Sequence, residues 1–176
     1  MSEQWRPIQE VEGLYEVSSV GRVRNIRSGK ILRSGLGTTG YPQVTLAVNG
    51  KLFRRKVHRL MVVAFGVVSG NQETDHINGD RADTRLENLR AASPSQNQAN
   101  AILKPHSTSC YRGVCRFKRS SRWYARIKLN GKEMLLGSYQ DEETAAREYD
   151  RAAKLLFGEY ARLNFPALTE GQKEAK

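Results

Sequence analysis

At 176 residues with 39% hydrophobic content, the chain can build small cores, but no apolar run approaches membrane-spanning length and no membrane partner is expected. Lysine and arginine outnumber aspartate and glutamate by 29 to 18, a net charge of +11 with a pI near 10.0, which favours a polyanionic partner. Only Cys110 and Cys115 are present, with no second Cys or His pair to complete a zinc site, so reduced thiols in a cytoplasmic protein are the expectation.

The start, Met1-Ser-Glu-Gln-Trp-Arg-Pro, is polar and reads as no secretory signal. Residues 4–50 read as β-rich, with Trp5, Ile8, Val11, Tyr15 and Val17 as apolar anchors between glycine-marked turns. Arg22 and Arg24 flank Val23, which puts both guanidinium groups on one strand face. With Arg27 and Lys30 they are candidate DNA contacts. Tyr41–Leu46 and Lys51–Val57 read as strands paired around an Asn49-Gly50 turn. Arg54, Arg55 and Lys56 then lead into a helix at 57–65 and are placed to hold phosphates, positioning DNA without reading it. His58 and Arg59 join that basic group, His58 as either a packing or a phosphate-contact residue.

The charge is unevenly spread. Residues 17–72 hold ten Lys or Arg and no acid, and residues 104–132 hold nine and again no acid. Between them lie Glu73, Asp75, Asp80, Asp83 and Glu87. Asp75 and His76 sit where a strand read at Gln72–Ile77 runs into a Gly- and Asp-rich turn. Asn88 follows in the apolar stretch Leu86–Leu89. Ser93-Pro94 opens a helix, with Ser93 as N-cap and Pro94 at the first helical position, and Asn97 falls in its first turns.

These residue types suit metal-assisted hydrolysis of a phosphodiester. A hard cation such as Mg²⁺ binds through oxygen, keeps several waters and takes one or two protein ligands besides phosphate; Asp75 and Asn97 supply two such oxygens. The neutral imidazole of His76 takes a proton from attacking water. Neighbours on a regular strand face opposite ways, so Asp75 and His76 share a site only where the strand ends or twists.

Asp75-His76, Asn88 and Asn97, together with His58-Arg59-Leu60 and Ala64-Phe65, resemble the HNH homing endonucleases with their ββα-metal site. The resemblance implies that Asp75 and Asn97 hold one Mg²⁺ or Mn²⁺ ion per active site. It also implies that His76 activates water and that Asn88, counted with the catalytic set, braces the loop. Trp5-Arg-Pro-Ile, Glu12-Gly-Leu-Tyr-Glu-Val-Ser and Gly21-Arg-Val resemble the small nuclease-associated modules that precede such cores, over about residues 4–34.

Beyond a linker read at 103–109, residues 109–166 form a further module. Arg122, Tyr124, Arg126 and Lys128 alternate with Trp123, Ala125, Ile127 and Leu129, giving one cationic and one apolar face. An Asn130-Gly131 turn leads to a third strand, Glu133–Tyr139. A helix follows, N-capped by Asp141, with a stripe of Ala145, Ala146, Tyr149, Ala152, Ala153 and Leu156 and a stop at Gly158. Trp123 is expected in the core. Residues 167–176 read as a polar, frayed tail. Tyr111-Arg-Gly-Val, Trp123-Tyr-Ala-Arg-Ile, Leu136-Gly-Ser-Tyr, Tyr149-Asp-Arg-Ala-Ala and Leu163-Asn-Phe-Pro resemble the DNA-binding domain of plant ethylene-response factors. That resemblance implies a sheet in the major groove with Arg112, Arg126 and Lys128 as contacts. Cys115, Phe117 and Glu133 depart from the family's basic pattern, so the target sequence does not carry over, and Arg116, Lys118 and Arg122 are candidate phosphate contacts.

The expectation is therefore a modular α+β protein. It has a β-rich module at 1–50, an HNH core at 51–104, and at 105–176 a three-stranded sheet plus helix with its tail. Its function would be site-specific, metal-dependent cleavage of double-stranded DNA. It would act as a monomer nicking one strand, in the cytoplasm of a bacterial or phage-infected cell. The rivals are a non-catalytic sequence-specific DNA-binding regulator and an RNA-binding, ribosome-associated protein.

Overall fold

In the computed structural model, which describes residues 2–11, 13–102 and 108–166, the strands form four small antiparallel sheets, with period-two burial clearest along Pro42–Val48 and Trp123–Leu129, and three α-helices lie between and after them among the described residues. The first sheet joins β1 (Trp5–Pro7), β2 (Tyr15–Ser18) and β3 (Val23–Asn25) in that order. Tyr15, Val17 and Val23 turn inward. Gly21 lies in the β2–β3 turn with φ +82°, and a β-carbon there would collide with the Thr84 side chain. Only glycine suits both the torsion and the close approach.

The second sheet joins β4 (Gly35–Leu36), β5 (Pro42–Val48) and β6 (Lys51–Lys56). Asn49 and Gly50 both take positive φ, 49° and 73°, as a two-residue hairpin turn of the expected kind requires. β6 runs directly into α1 (Val57–Ala64), which buries Val57, Leu60, Met61 and Val62. A third sheet pairs β7 (Glu73–His76) with β8 (Leu89–Ala92), so the second apolar stretch is a 3-10 turn, Leu86–Asn88, followed by a strand.

One core runs through all of this: Ile8, Val17, Val23, Leu46, Val57, Met61 and Leu89 belong to a single buried cluster. The Tyr15 hydroxyl reinforces it by donating to the Ala47 carbonyl and accepting from the Ala47 amide, both at 3.1 Å. The boundary expected at residue 50 falls in the turn of the β5–β6 hairpin, with Val44 and Leu46 of β5 and Val57 at the start of α1 in that core. By compactness the chain divides into residues 1–93 and 94–176.

The second unit opens with α2 (Pro94–Asn100), whose first residue is the expected proline. β9 (Val114–Arg116), β10 (Trp123–Leu129) and β11 (Lys132–Tyr139) form the sheet, and α3 (Glu142–Phe157) covers it. Asn130 and Gly131 repeat the positive-φ turn, at 50° and 82°. Asp141 caps α3, its carboxylate accepting from the Thr144 amide at 2.7 Å. Ala125 and Ile127 pack under α3, and Trp123 is partly buried against the same core.

The apolar stripe of α3 buries Ala145, Ala146, Tyr149 and Ala153 as expected, with Ala152 packed against the core, and departs from the expected one at its end. Leu156 is 37% exposed, and Phe157 is buried instead. The buried line runs Ala146, Asp150, Ala153, Phe157, because Asp150 turns inward to accept the amides of Asn164 and Phe165, each at 2.8 Å. α2 belongs to this unit as well. Ala99 shares a core cluster with Ile127, Tyr149, Ala153 and Phe157, and Ser95 bonds to Asn130 through its hydroxyl. Residues 103–107 of the expected linker and the tail at 167–176 lie outside the described residues. No described helix is long and apolar enough to cross a membrane.

Candidate active site

β7 and β8 present the two central side chains to different neighbours. Asp75 stands opposite Arg90 and His76 opposite Leu89. Both are buried, and β7 ends at His76. Burying a lone carboxylate costs on the order of several kcal/mol. Here Arg90 offsets that cost, its Nε donating to Asp75 Oδ2 at 2.8 Å.

On the other face, the His76 ring meets His58 edge-on with centroids 5.2 Å apart, and Tyr41 at 5.7 Å. Tyr41 and His58 are themselves 4.6 Å apart. Burial lowers the pKa of His76, while the negative charges of Asp75, Asp80 and Asp83 oppose the shift. His58 is driven down to about 3 by burial, then by the charges of His76, Lys56 and Arg59. Both shifts favour the neutral imidazole at ordinary pH.

His58 is 6% exposed, and its Nδ1 has no hydrogen-bond partner among the described residues. Of the two roles open to it, its burial favours packing.

Asn88 shapes the loop between the strands. Its Oδ1 accepts from the Asn78 amide at 3.0 Å, and its Nδ2 donates to Asn78 Oδ1 at 3.0 Å and to the Asp83 carbonyl at 2.9 Å. These bonds fit a brace. Arg85 straps the same loop through Asp83 and Glu87, and its hydrogen bond holds the Asp83 carboxyl at a pKa of about 2. Asn97 lies on α2, in the second unit.

The basic residues divide into engaged and open groups. Arg22 pairs with Glu3, Arg24 with Glu16 at 2.5 Å, and Arg55 with Glu10 at 3.3 Å. Arg24 also lies over Trp5, 4.0 Å from the ring centroid. The acid-free run at 17–72 is thus partly answered by acids just upstream of it. Arg27, Lys30, Arg54 and Arg59 are exposed and carry no ion pair among the described residues.

In the second unit Arg112 donates to the Ala101 carbonyl, Arg116 to that of Ser120 and Arg122 to Ser138. Lys118 and Lys128 are exposed. Arg126 is held on the outer sheet face by Glu133 at 2.9 Å and Cys115 Sγ at 2.9 Å, with Phe117 5.7 Å away. The three positions that depart from the ethylene-response-factor pattern therefore converge on one arginine.

Sequence reasoning misses Tyr41, Arg81 and Arg90. Arg90 becomes visible only once the β7–β8 register is known, and Tyr41 only once β5 is packed beside α1. Among the described residues no group of three or more His, Cys, Asp and Glu side chains gathers as a metal cage. A one-carboxylate, oxygen-donor set suits a hard ion that keeps its waters and borrows substrate phosphate.

The NUMOD4 motif matches residues 3–47 and the HNH endonuclease family residues 55–99. The DNA endonuclease I-HmuI of Bacillus phage SP01 is 34% identical over 104 residues, 57% of this chain and 59% of that protein. An uncharacterized HNH endonuclease of Acanthamoeba polyphaga mimivirus is 35% identical over 130 residues, 69% of this chain and 32% of its own length. An ethylene-responsive transcription factor of Arabidopsis thaliana is 45% identical over 65 residues, 36% of this chain and 35% of that protein, in the C-terminal region. The chain spans less than two thirds of each of these relatives. A solved structure described as DNA binding and cleavage by the HNH homing endonuclease I-HmuI aligns with a TM-score of 0.51 at 25% identity, covering 89% of this chain and 91% of that one.

Proposed function

The chain carries an HNH endonuclease domain preceded by a NUMOD4 motif and is homologous to the homing endonuclease I-HmuI, and from that premise we propose that it is a site-specific DNA endonuclease that hydrolyses phosphodiester bonds with a divalent metal ion. The observation that carries the reading is a buried, neutral-leaning imidazole adjacent to a buried carboxylate at the end of β7, inside the matched HNH segment.

His76 accepts the proton of the attacking water, a role that asks for an uncharged ring within reach of the water. Asp75 and Asn97 are the oxygen donors for the ion, Mg²⁺ or Mn²⁺, one per site; Asn97 is assigned by its type and place in the matched segment. When bound, such an ion polarises the phosphate and stabilises the departing oxygen. Arg90 orients the Asp75 carboxylate, and Asn88 holds the loop that follows His76. The C-terminal sheet reads DNA, with Arg112, Arg116, Lys118, Arg122, Arg126 and Lys128 as its cationic set, and Arg27, Lys30, Arg54 and Arg59 add phosphate contacts from the first unit. With one such site per chain, the protein acts as a monomer and nicks one strand, in the cytoplasm of its host.

Incubating the full chain with duplex DNA in Mg²⁺, in Mn²⁺ and in chelator tests the proposal. Nicked product that appears only with a metal supports it. Intact duplex under every condition, with tight binding retained, would instead favour a non-catalytic regulator.

A further inference from the structure

Two cations beside His76 have no part in the chemistry above. Tyr41 lies half-buried at the entrance to β5, with His58 and His76 against its ring. Over the same ring sit Lys56 Nζ, 4.6 Å from the centroid, and the Arg81 guanidinium carbon, 5.2 Å away. Lys56 is the last residue of β6, and Arg81 comes from the loop after β7. Arg81 Nη1 donates to the Thr39 carbonyl at 3.2 Å, which fixes the guanidinium against the turn before Tyr41.

Neither cation forms an ion pair among the described residues, whereas Arg22, Arg24, Arg55, Arg85, Arg90 and Arg126 all do. An aromatic ring stabilises a cation by about 0.5–2 kcal/mol, but two like charges on one ring repel each other. An anion beside them relieves the repulsion. In a nuclease the anion at hand is DNA phosphate, for which a planar guanidinium fork and a point-charge ammonium are suited partners.

We propose that Lys56 and Arg81, carried on the Tyr41 ring, form a subsite for a backbone phosphate next to the scissile one, with Tyr41 as the positioning residue that ties this subsite to His76. Lys56 is a candidate phosphate contact from its place in the sequence alone. The structure adds Arg81, the shared ring and the proximity to the proposed base. The inference rests on the reading of His76 as that base. It predicts that the subsite responds to charge and not to base identity.

The test uses the full chain and two readouts. On unmodified duplex, the slope of log affinity against log salt becomes shallower by about 0.9 for each phosphate that the protein no longer neutralises; Arg81→Ala and Lys56→Ala should each show this, and an unchanged slope in Arg81→Ala overturns the proposal. On duplexes whose phosphates around the mapped cut are replaced one at a time by uncharged methylphosphonate, one position should slow single-turnover cleavage by wild-type protein about tenfold. Arg81→Ala should be slowed about as much on ordinary duplex, with no further loss at that position. Multiplicative losses at every position overturn it. Tyr41→Leu should behave as Arg81→Ala does, and Tyr41→Phe should recover most of the rate. If His76→Ala still cleaves while the salt slopes shift as stated, the base assignment fails and the phosphate subsite stands.

Discussion

Asp75 and Arg90 face each other across β7 and β8, Oδ2 to Nε at 2.8 Å, with side chains only 4% and 14% exposed. A buried ion pair adds little net stability as a pair, but removing one partner strands the other charge and costs about 3–5 kcal/mol. Arg90→Met should therefore lower the stability of the first unit by about that amount in urea unfolding. Adding Asp75→Leu to that background should recover most of the loss. A single variant as stable as wild type would mean that Arg90 is dispensable to the carboxylate.

His76→Ala should abolish cleavage with duplex affinity nearly intact, since the ring is assigned a proton and no phosphate. Single-turnover rates and a binding isotherm on the same preparation check this. A parallel loss of affinity would make the residue structural.

The buried His58 makes the fold sensitive to acid. Its pKa is about 3 in the folded chain against 6.5 for the unfolded residue, so between those values the unfolded state binds the proton first. Stability is fully present above pH 6.5 and falls as the pH drops toward 3, on the order of a few kcal/mol over the window. His58→Phe should flatten that part of the stability–pH curve. An unchanged curve would place the acid sensitivity elsewhere.

Glu133 restrains Arg126 through an ion pair whose side chains are 34% (Arg126) and 56% (Glu133) exposed. Exposed pairs contribute about 0–1 kcal/mol, so under the proposed function the interest of this one is the charge it would withhold from DNA. Glu133→Gln should tighten duplex binding and steepen its salt dependence by up to one phosphate equivalent, about 0.9 in slope. A slope identical to wild type would show that Arg126 is held by Cys115 alone.

What is legible in the sequence follows from what is local. Asn49-Gly50 and Asn130-Gly131 announce their turns because few residues accept positive φ, and Pro94 and Asp141 mark helix starts because the first turn has unsatisfied amides. The Asp75-His76 pair is readable as chemistry, and its neighbourhood is not. Arg90 depends on a cross-strand register that the sequence does not state, and Tyr41 on how β5 meets α1. The pairing of Arg22 with Glu3 and of Arg24 with Glu16 joins residues 19 and 8 positions apart, which a run-length count of charge does not see. Helical periodicity points Leu156 inward because nothing in it reveals that Asp150 turns in to hold Asn164 and Phe165.

The helix bearing Asn97 has its apolar contact, Ala99, inside the cluster built by Ile127, Tyr149, Ala153 and Phe157. Exchanging the C-terminal sheet–helix module is therefore not a matter of cutting at the stretch around 103–109. A graft made there would leave Ala99 facing a foreign surface and set the Asn97 helix adrift from its support. Any such exchange has to keep Asn97 with the HNH segment, which runs to residue 99, and to give Ala99 a new apolar partner.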